Sequence, residues 1–171
     1  MAEYDGEIRI KAVVDSTSIE KDLANQKNAY KELSKEREQL LRSQSKYEKQ
    51  SSKLIRQQDA LNERLKTQEN RYQKIKDKLD LFKSSTDFSA MNIYSKEEET
   101  RIKHFEMDLS LIADKIKKLN GEIENTNQAS TETTKELKNI SDALELNYSN
   151  IDKSKKLIES LKIESKLKKI Q

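Results

Sequence analysis

Apolar residues recur along this chain in alternating steps of four and three, and they do so over almost its whole length. From Ile19 to Phe82 the stripe runs Ile19, Leu23, Gln26, Tyr30, Leu33, Arg37, Leu40, Gln44, Tyr47, Ser51, Leu54, Gln58, Leu61, Leu65, Gln68, Tyr72, Ile75, Leu79, Phe82. Thirteen of these nineteen positions are apolar or Tyr, and the rest of the stretch holds only Leu41, Ile55 and Leu81 as large aliphatics. A strict repeat of seven, rather than a drift at 3.6, keeps one narrow seam on one side of a helix. That helix needs a partner along its length, so the pattern predicts an all-α chain of long coiled-coil helices.

A second seam runs from Ile102 to Lys168 without a phase slip. Its a positions are Ile102, Leu109, Ile116, Ile123, Ser130, Leu137, Leu144, Ile151, Ile158 and Ser165. Its d positions are Phe105, Ile112, Leu119, Thr126, Thr133, Ile140, Asn147, Ser154, Leu161 and Lys168. With Ile19 as d, the first run has four successive polar a residues, Arg37, Gln44, Ser51 and Gln58, opposite a mostly Leu d layer. Polar a residues cost stability and set register or oligomer state. The second run has its own weak stretch, where Thr126, Ser130 and Thr133 replace aliphatic layers. Tyr30, Tyr47 and Tyr72 read as core filler with a wet hydroxyl rather than as stacking platforms for bases.

The remaining segments punctuate these runs. In residues 1–15, Ile8, Ile10, Ala12 and Val14 alternate with Glu7, Arg9 and Lys11 after Asp5-Gly6, with Val13 breaking the polar face, which predicts a short N-terminal β-strand that docks on another strand. Thr17 with Glu20 forms a capping-box pattern, so a first coiled-coil helix is expected over 16–82. The a positions shift phase across 83–95, where Ser and Asn mix with Phe88, Met91, Ile93 and Tyr94, and this segment reads as a hinge or loop. Ser95 with Glu98 repeats the capping pattern, so a second coiled-coil helix with a basic C-terminal end is expected over 96–171. Gly121 falls on an outer position and leaves the phase unchanged. The two runs match in length, so they fit an antiparallel hairpin and an in-line rod equally well.

Composition excludes several classes of function. Charged residues make up 38% of the chain against 33% hydrophobic ones, with no Pro, no Cys and two Gly, the mixture of a long helix rather than of a globular domain. Lys plus Arg (34) nearly balances Asp plus Glu (31), an interleaved and solvated surface with no specific nucleic-acid site. The exception is the basic tail, with Lys153, Lys155, Lys156, Lys162, Lys166, Lys168 and Lys169, which suits the negative end of a helix dipole. No run of apolar residues is long enough for a transmembrane segment, and the start lacks the apolar core of a signal peptide. The Asn139 and Asn147 glycosylation triplets read as accidental. The single His104 makes no metal site alone, and no phosphate loop, nucleophile elbow or ligand spacing is present. The expectation is a protein that is not an enzyme and uses no cofactor.

The first residues carry a resemblance. Asp5, Gly6, Ile8, Ile10, Asp15, Thr17, Ser18 and Leu23 follow an outline of acid-Gly, alternating strand, Asp-Ser/Thr cap and long helix. It resembles the N-terminus of phage tail tape measure proteins, especially those of phages of Gram-positive hosts, over about 20 residues. Tape measures are usually many hundreds of residues long and carry apolar membrane-active segments, and this chain has neither. The resemblance implies a tape measure or its N-terminal part, a structural protein of a phage tail or tail-like particle that sets tail length. It further implies a homo-oligomer, with a trimer favoured, tail-tube and tail-end proteins as partners, and a place in the virion tail-tube lumen after assembly in the host cytoplasm. The alternative is a coiled-coil tether or adaptor that oligomerises and binds a protein partner through its ends.

Overall fold

The computed structural model describes the backbone of residues 2–85 and 94–170, and side-chain surroundings from Ser18 onward. It is all-helical, with helix α1 over Ala2–Ser85 and helix α2 over Lys96–Ile170. The start of α2 is fixed by a reciprocal cap. The Glu98 amide donates to Ser95 Oγ at 3.2 Å, and the Ser95 amide donates to Glu98 Oε2 at 3.2 Å. Glu97, Glu98 and Glu99 place negative charge at the positive end of the helix dipole, and Lys168 and Lys169 do the converse at its far end. Most of the hinge expected over 83–95 lies outside the described residues, including Phe88, Met91 and Ile93.

The chain divides into two units. Unit 1 contains Met1–Glu48 and Lys135–Gln171, and unit 2 contains Lys49–Thr134. In unit 1, Asn147 on α2 meets Leu33 and Glu36 on α1, while Lys169 reaches Glu20 at 4.0 Å. Advancing along α2 therefore means retreating along α1, so the two segments are antiparallel. In unit 2, Phe105 meets Phe82 with ring centroids 6.2 Å apart, and Gln58 donates to Asn127 at 2.6 Å. These segments are antiparallel as well. Where the heptads admitted either direction, each seam finds its partner in the same chain. A short link between Ser85 and Lys96 gives the second segment a high effective concentration at the first, which favours this pairing.

Burial follows the seams closely. All nineteen seam positions from Ile19 to Phe82 are buried or half-buried, and so is every a and d position from Ile102 to Leu161. Ile19, Leu54, Leu79, Ile102, Ile112, Ile140, Leu144 and Ile151 form the buried apolar core. Most other seam side chains are only half-buried, because two helices cover one stripe and leave its flanks to water. Lys168 is the one seam position that is exposed.

One expectation is corrected. The backbone of Ala2–Asp15 is helical and continuous with α1, where the alternation predicted a strand, and Thr17 lies inside the helix rather than capping it. The side chains of Ile8, Ile10, Ala12 and Val14 lie outside the described surroundings. Two physical reasons account for the helix. A strand needs a pairing strand, which this chain does not contain among its described residues. Extending an existing helix also costs far less than nucleating one, and Ile8/Ala12 and Ile10/Val14 are i,i+4 pairs as well as alternating ones.

Candidate functional site

With no concave site in the sequence, function is sought in the seams, their polar layers and the outward faces. The antiparallel register anchored by the contacts above brings polar layers of one helix to polar layers of the other. In unit 2, Ser51 falls opposite Thr133 and Gln58 opposite Thr126. In unit 1, Arg37 falls opposite Asn147 and Tyr30 opposite Ser154. Gln44, Gln26, Gln68 and Ser130 do not follow this, since the same register sets them opposite Ile140, Ile158, Ile116 and Leu54. Where polar side chains do share a layer, a slip that set Arg37 or Ser51 against Leu or Ile would be penalised.

These layers are satisfied by different means. The Thr133 hydroxyl, 3% exposed, donates to the Ala129 carbonyl one turn back at 2.9 Å, and Thr126 does the same to Glu122 at 2.8 Å. A Thr that bonds its own helix can enter a seam without needing a partner across it. Arg37 keeps its guanidinium 5.9 Å from the centroid of the Tyr148 ring, so its stem lies in the seam while its charge rests on an aromatic face. Asn147 is the most deeply buried polar residue, at 2% exposure. Its Nδ2 donates to the Leu33 carbonyl at 3.0 Å and to Glu36 Oε2 at 3.3 Å, while its Oδ1 has no partner. Ser154 Oγ and Gln68 Oε1 are likewise buried without a partner. Burial also closes the Asn147 triplet to glycosylation.

The candidate chemistry is sparse. His104 is exposed on α2. Among the described residues no group of three or more His, Cys, Asp or Glu side chains converges to hold a metal ion. A shallow groove in unit 2 is lined by Ala60, Glu63, Arg64, Thr67, Gln68, Lys115, Lys118, Leu119 and Glu122. It lies beside the polar seam position Gln68 and the exposed Ala60, and its lining mixes charges of both signs. Among the described residues, no helix is long and apolar enough to cross a membrane.

Sequence reasoning passed over the aliphatics outside the second seam. Met107 and Leu111 in unit 2 are 62% and 59% exposed, and Ile163, Leu167 and Ile170 in unit 1 are 59%, 57% and 82% exposed. They occupy f and c heptad positions, turned away from the seam. No second repeat marks them, since the c and f positions between Leu111 and Ile163 are polar except for Gly121 and the exposed Leu146.

No protein-family model, curated protein or solved structure matches the chain.

Proposed function

We propose that this chain is a structural protein of a phage tail or phage-tail-like particle, a tape measure or the N-terminal part of one, and that it catalyses no reaction. The observation that carries this reading is the residue match of the run from Asp5 to Leu23 to the start of tape measure proteins, and the run leads into two long heptad helices. The match is one of sequence alone, because the backbone there is helical, with neither strand nor cap at Thr17. A helix is a linear ruler, since each residue adds a fixed ~1.5 Å. In the tail tube the seams leave their partners in the same chain and pair with further copies as a parallel coiled coil. Polar layers and a half-buried core keep that exchange accessible, because an antiparallel pair held by few fully buried aliphatics has little to lose on opening.

The test is tail length by electron microscopy after deletions in whole heptads. Removing 33–53 shortens an extended ruler by ~31 Å, and removing 131–151 as well shortens it by ~63 Å. Should the helices stay folded on one another in the particle, the double deletion gives only the ~31 Å change. Unchanged length in intact particles refutes the ruler.

A second reading, a tether or adaptor that binds partners through its ends, draws on the pairing of both seams within one chain. Such a chain needs no second copy to cover its seams. Unchanged tail length, together with a discrete protein partner, favours it.

A further inference from the structure

Unit 2 is unevenly packed along its length. In the register set by Phe82 with Phe105 and Gln58 with Asn127, the seven layers from Phe82/Ile102 to Leu61/Ile123 are apolar or Tyr at every position except Gln68. The next three layers, Gln58/Thr126, Leu54/Ser130 and Ser51/Thr133, hold one aliphatic, Leu54. A shallow groove lined by Leu61, Glu122, Asn125 and Thr126 opens where the two stretches meet. Over the same stretch α2 is weak in its own right. Eight of the fourteen residues in 121–134 are Gly, Asn, Ser or Thr, which favour a helix less than Ala or Leu do. The hydroxyls of Thr126, Thr131, Thr133 and Thr134 donate to the carbonyls of Glu122, Asn127, Ala129 and Ser130 at 2.8, 3.0, 2.9 and 2.9 Å. Each of these bonds competes with a helical N–H for its carbonyl, which loosens and bends a helix. The Gln58 to Asn127 bond between the helices is exposed, so water can replace it.

We propose that residues 122–134 of α2, lying over 51–58 of α1, are a built-in opening point of the helix pair. There α2 loses its helix and leaves α1 while 61–82 and 102–119 stay paired. Two packed helices ordinarily fray from their ends, where each residue has neighbours on one side alone. Here the opening is internal to α2. It is cheap because separating the three layers exposes one buried aliphatic, whereas separating three layers around Ile112 exposes aliphatics from both helices. Once open, the stretch leaves Leu54 and the neighbouring Ile55 free for another helix, so an exchange of seam partners starts there without melting either end of α2. The device follows from the packing of unit 2 itself and is independent of the tape measure reading.

Hydrogen exchange of the full chain, read by mass spectrometry of its peptides, tests this. Amides of 124–134 should exchange about tenfold faster, or more, than those of 105–119. Limited digestion by a glutamate-specific protease should cut after Glu124 or Glu132 before it cuts after Glu106, although all three are exposed. Thr126→Leu with Ser130→Leu fills two of the three layers with aliphatics and should close most of the gap in exchange between the two stretches. Thr131→Ala with Thr134→Ala lies outside the seam and removes two of the hydroxyl bonds, so it should narrow the gap through helix propensity alone. Three outcomes overturn the proposal: equal protection along α2, protection that falls only toward its ends, or a gap that neither double variant changes.

Discussion

Replacing Asn147 by Leu should stabilise this protein while loosening its register. Asn147 is 2% exposed, and its Oδ1 is buried without a partner. An unpaired buried acceptor costs ~1–3 kcal/mol, which N147L removes. The substitution also removes two donated bonds, but neither loss leaves an orphan. Helix geometry already gives the Leu33 carbonyl a bond from the Arg37 amide, and Glu36 is exposed to water. Each such bond contributes ~1 kcal/mol net, and burial of the added Leu returns ~1.5–3 kcal/mol. The balance is a gain of ~0.5–4 kcal/mol, about 1–16 °C in Tm for a chain of this size. Thermal unfolding followed by circular dichroism reads this directly. Register is read by a cysteine pair, since the chain has no native cysteine among the described residues. The contacts of Asn147 with Leu33 and Glu36 set Leu40 across from Leu144, so Leu40→Cys with Leu144→Cys should oxidise to one intramolecular species. In the N147L background the yield of that species should fall, because a slip no longer buries an amide among aliphatics. A lower Tm with unchanged crosslinking would refute the reasoning.

Further substitutions separate local from seam effects. Gly121→Ala should stabilise by ~1 kcal/mol in thermal unfolding, since a Cβ there meets nothing within 4 Å and Gly is a poor helix residue. Ser95→Ala should cost ~1 kcal/mol by removing the acceptor for the Glu98 amide, with the loss read in the same assay. Ile151→Ala, at a position 4% exposed, should cost ~2–4 kcal/mol, whereas Leu81→Ala, at 69% exposure, should stay within ~0.5 kcal/mol of wild type. Equal effects at the two sites would contradict the assignment of the seam.

The seam was legible in the sequence because a repeat of seven reports directly which side of a helix is covered. Ile19, Leu54, Ile112 and Ile151 are buried for that reason, and Leu41, Ile55 and Leu81 are exposed because they fall off the stripe. Direction was not legible from the aliphatic positions alone, since Leu and Ile layers accept a partner helix in either sense. The polar positions held that information. Ser51 and Gln58 on α1 match Thr133 and Thr126 on α2 only when the segments run antiparallel, so two apparent weaknesses become shared layers. Residues 1–15 were misread because Ile8, Ile10, Ala12 and Val14 satisfy both a period of two and i,i+4 spacing, and alternation over so few residues cannot arbitrate. The outer aliphatics Met107, Leu111, Ile163 and Leu167 were not legible because they form no sustained repeat.

The antiparallel pairing of the seams within one chain is tested most directly by a distance measured in unit 2. Spin labels at Lys66 and Lys118, both exposed, sit at the same level of the packed segments in this register. Helix axes pack ~10 Å apart, so dipolar spectroscopy should give a label separation of about 20–25 Å, unchanged by excess unlabelled chain. An in-line helix would separate the same residues by ~78 Å, and a short distance that vanished on dilution with unlabelled chain would place the pairing between copies. Either result would contradict the fold described here.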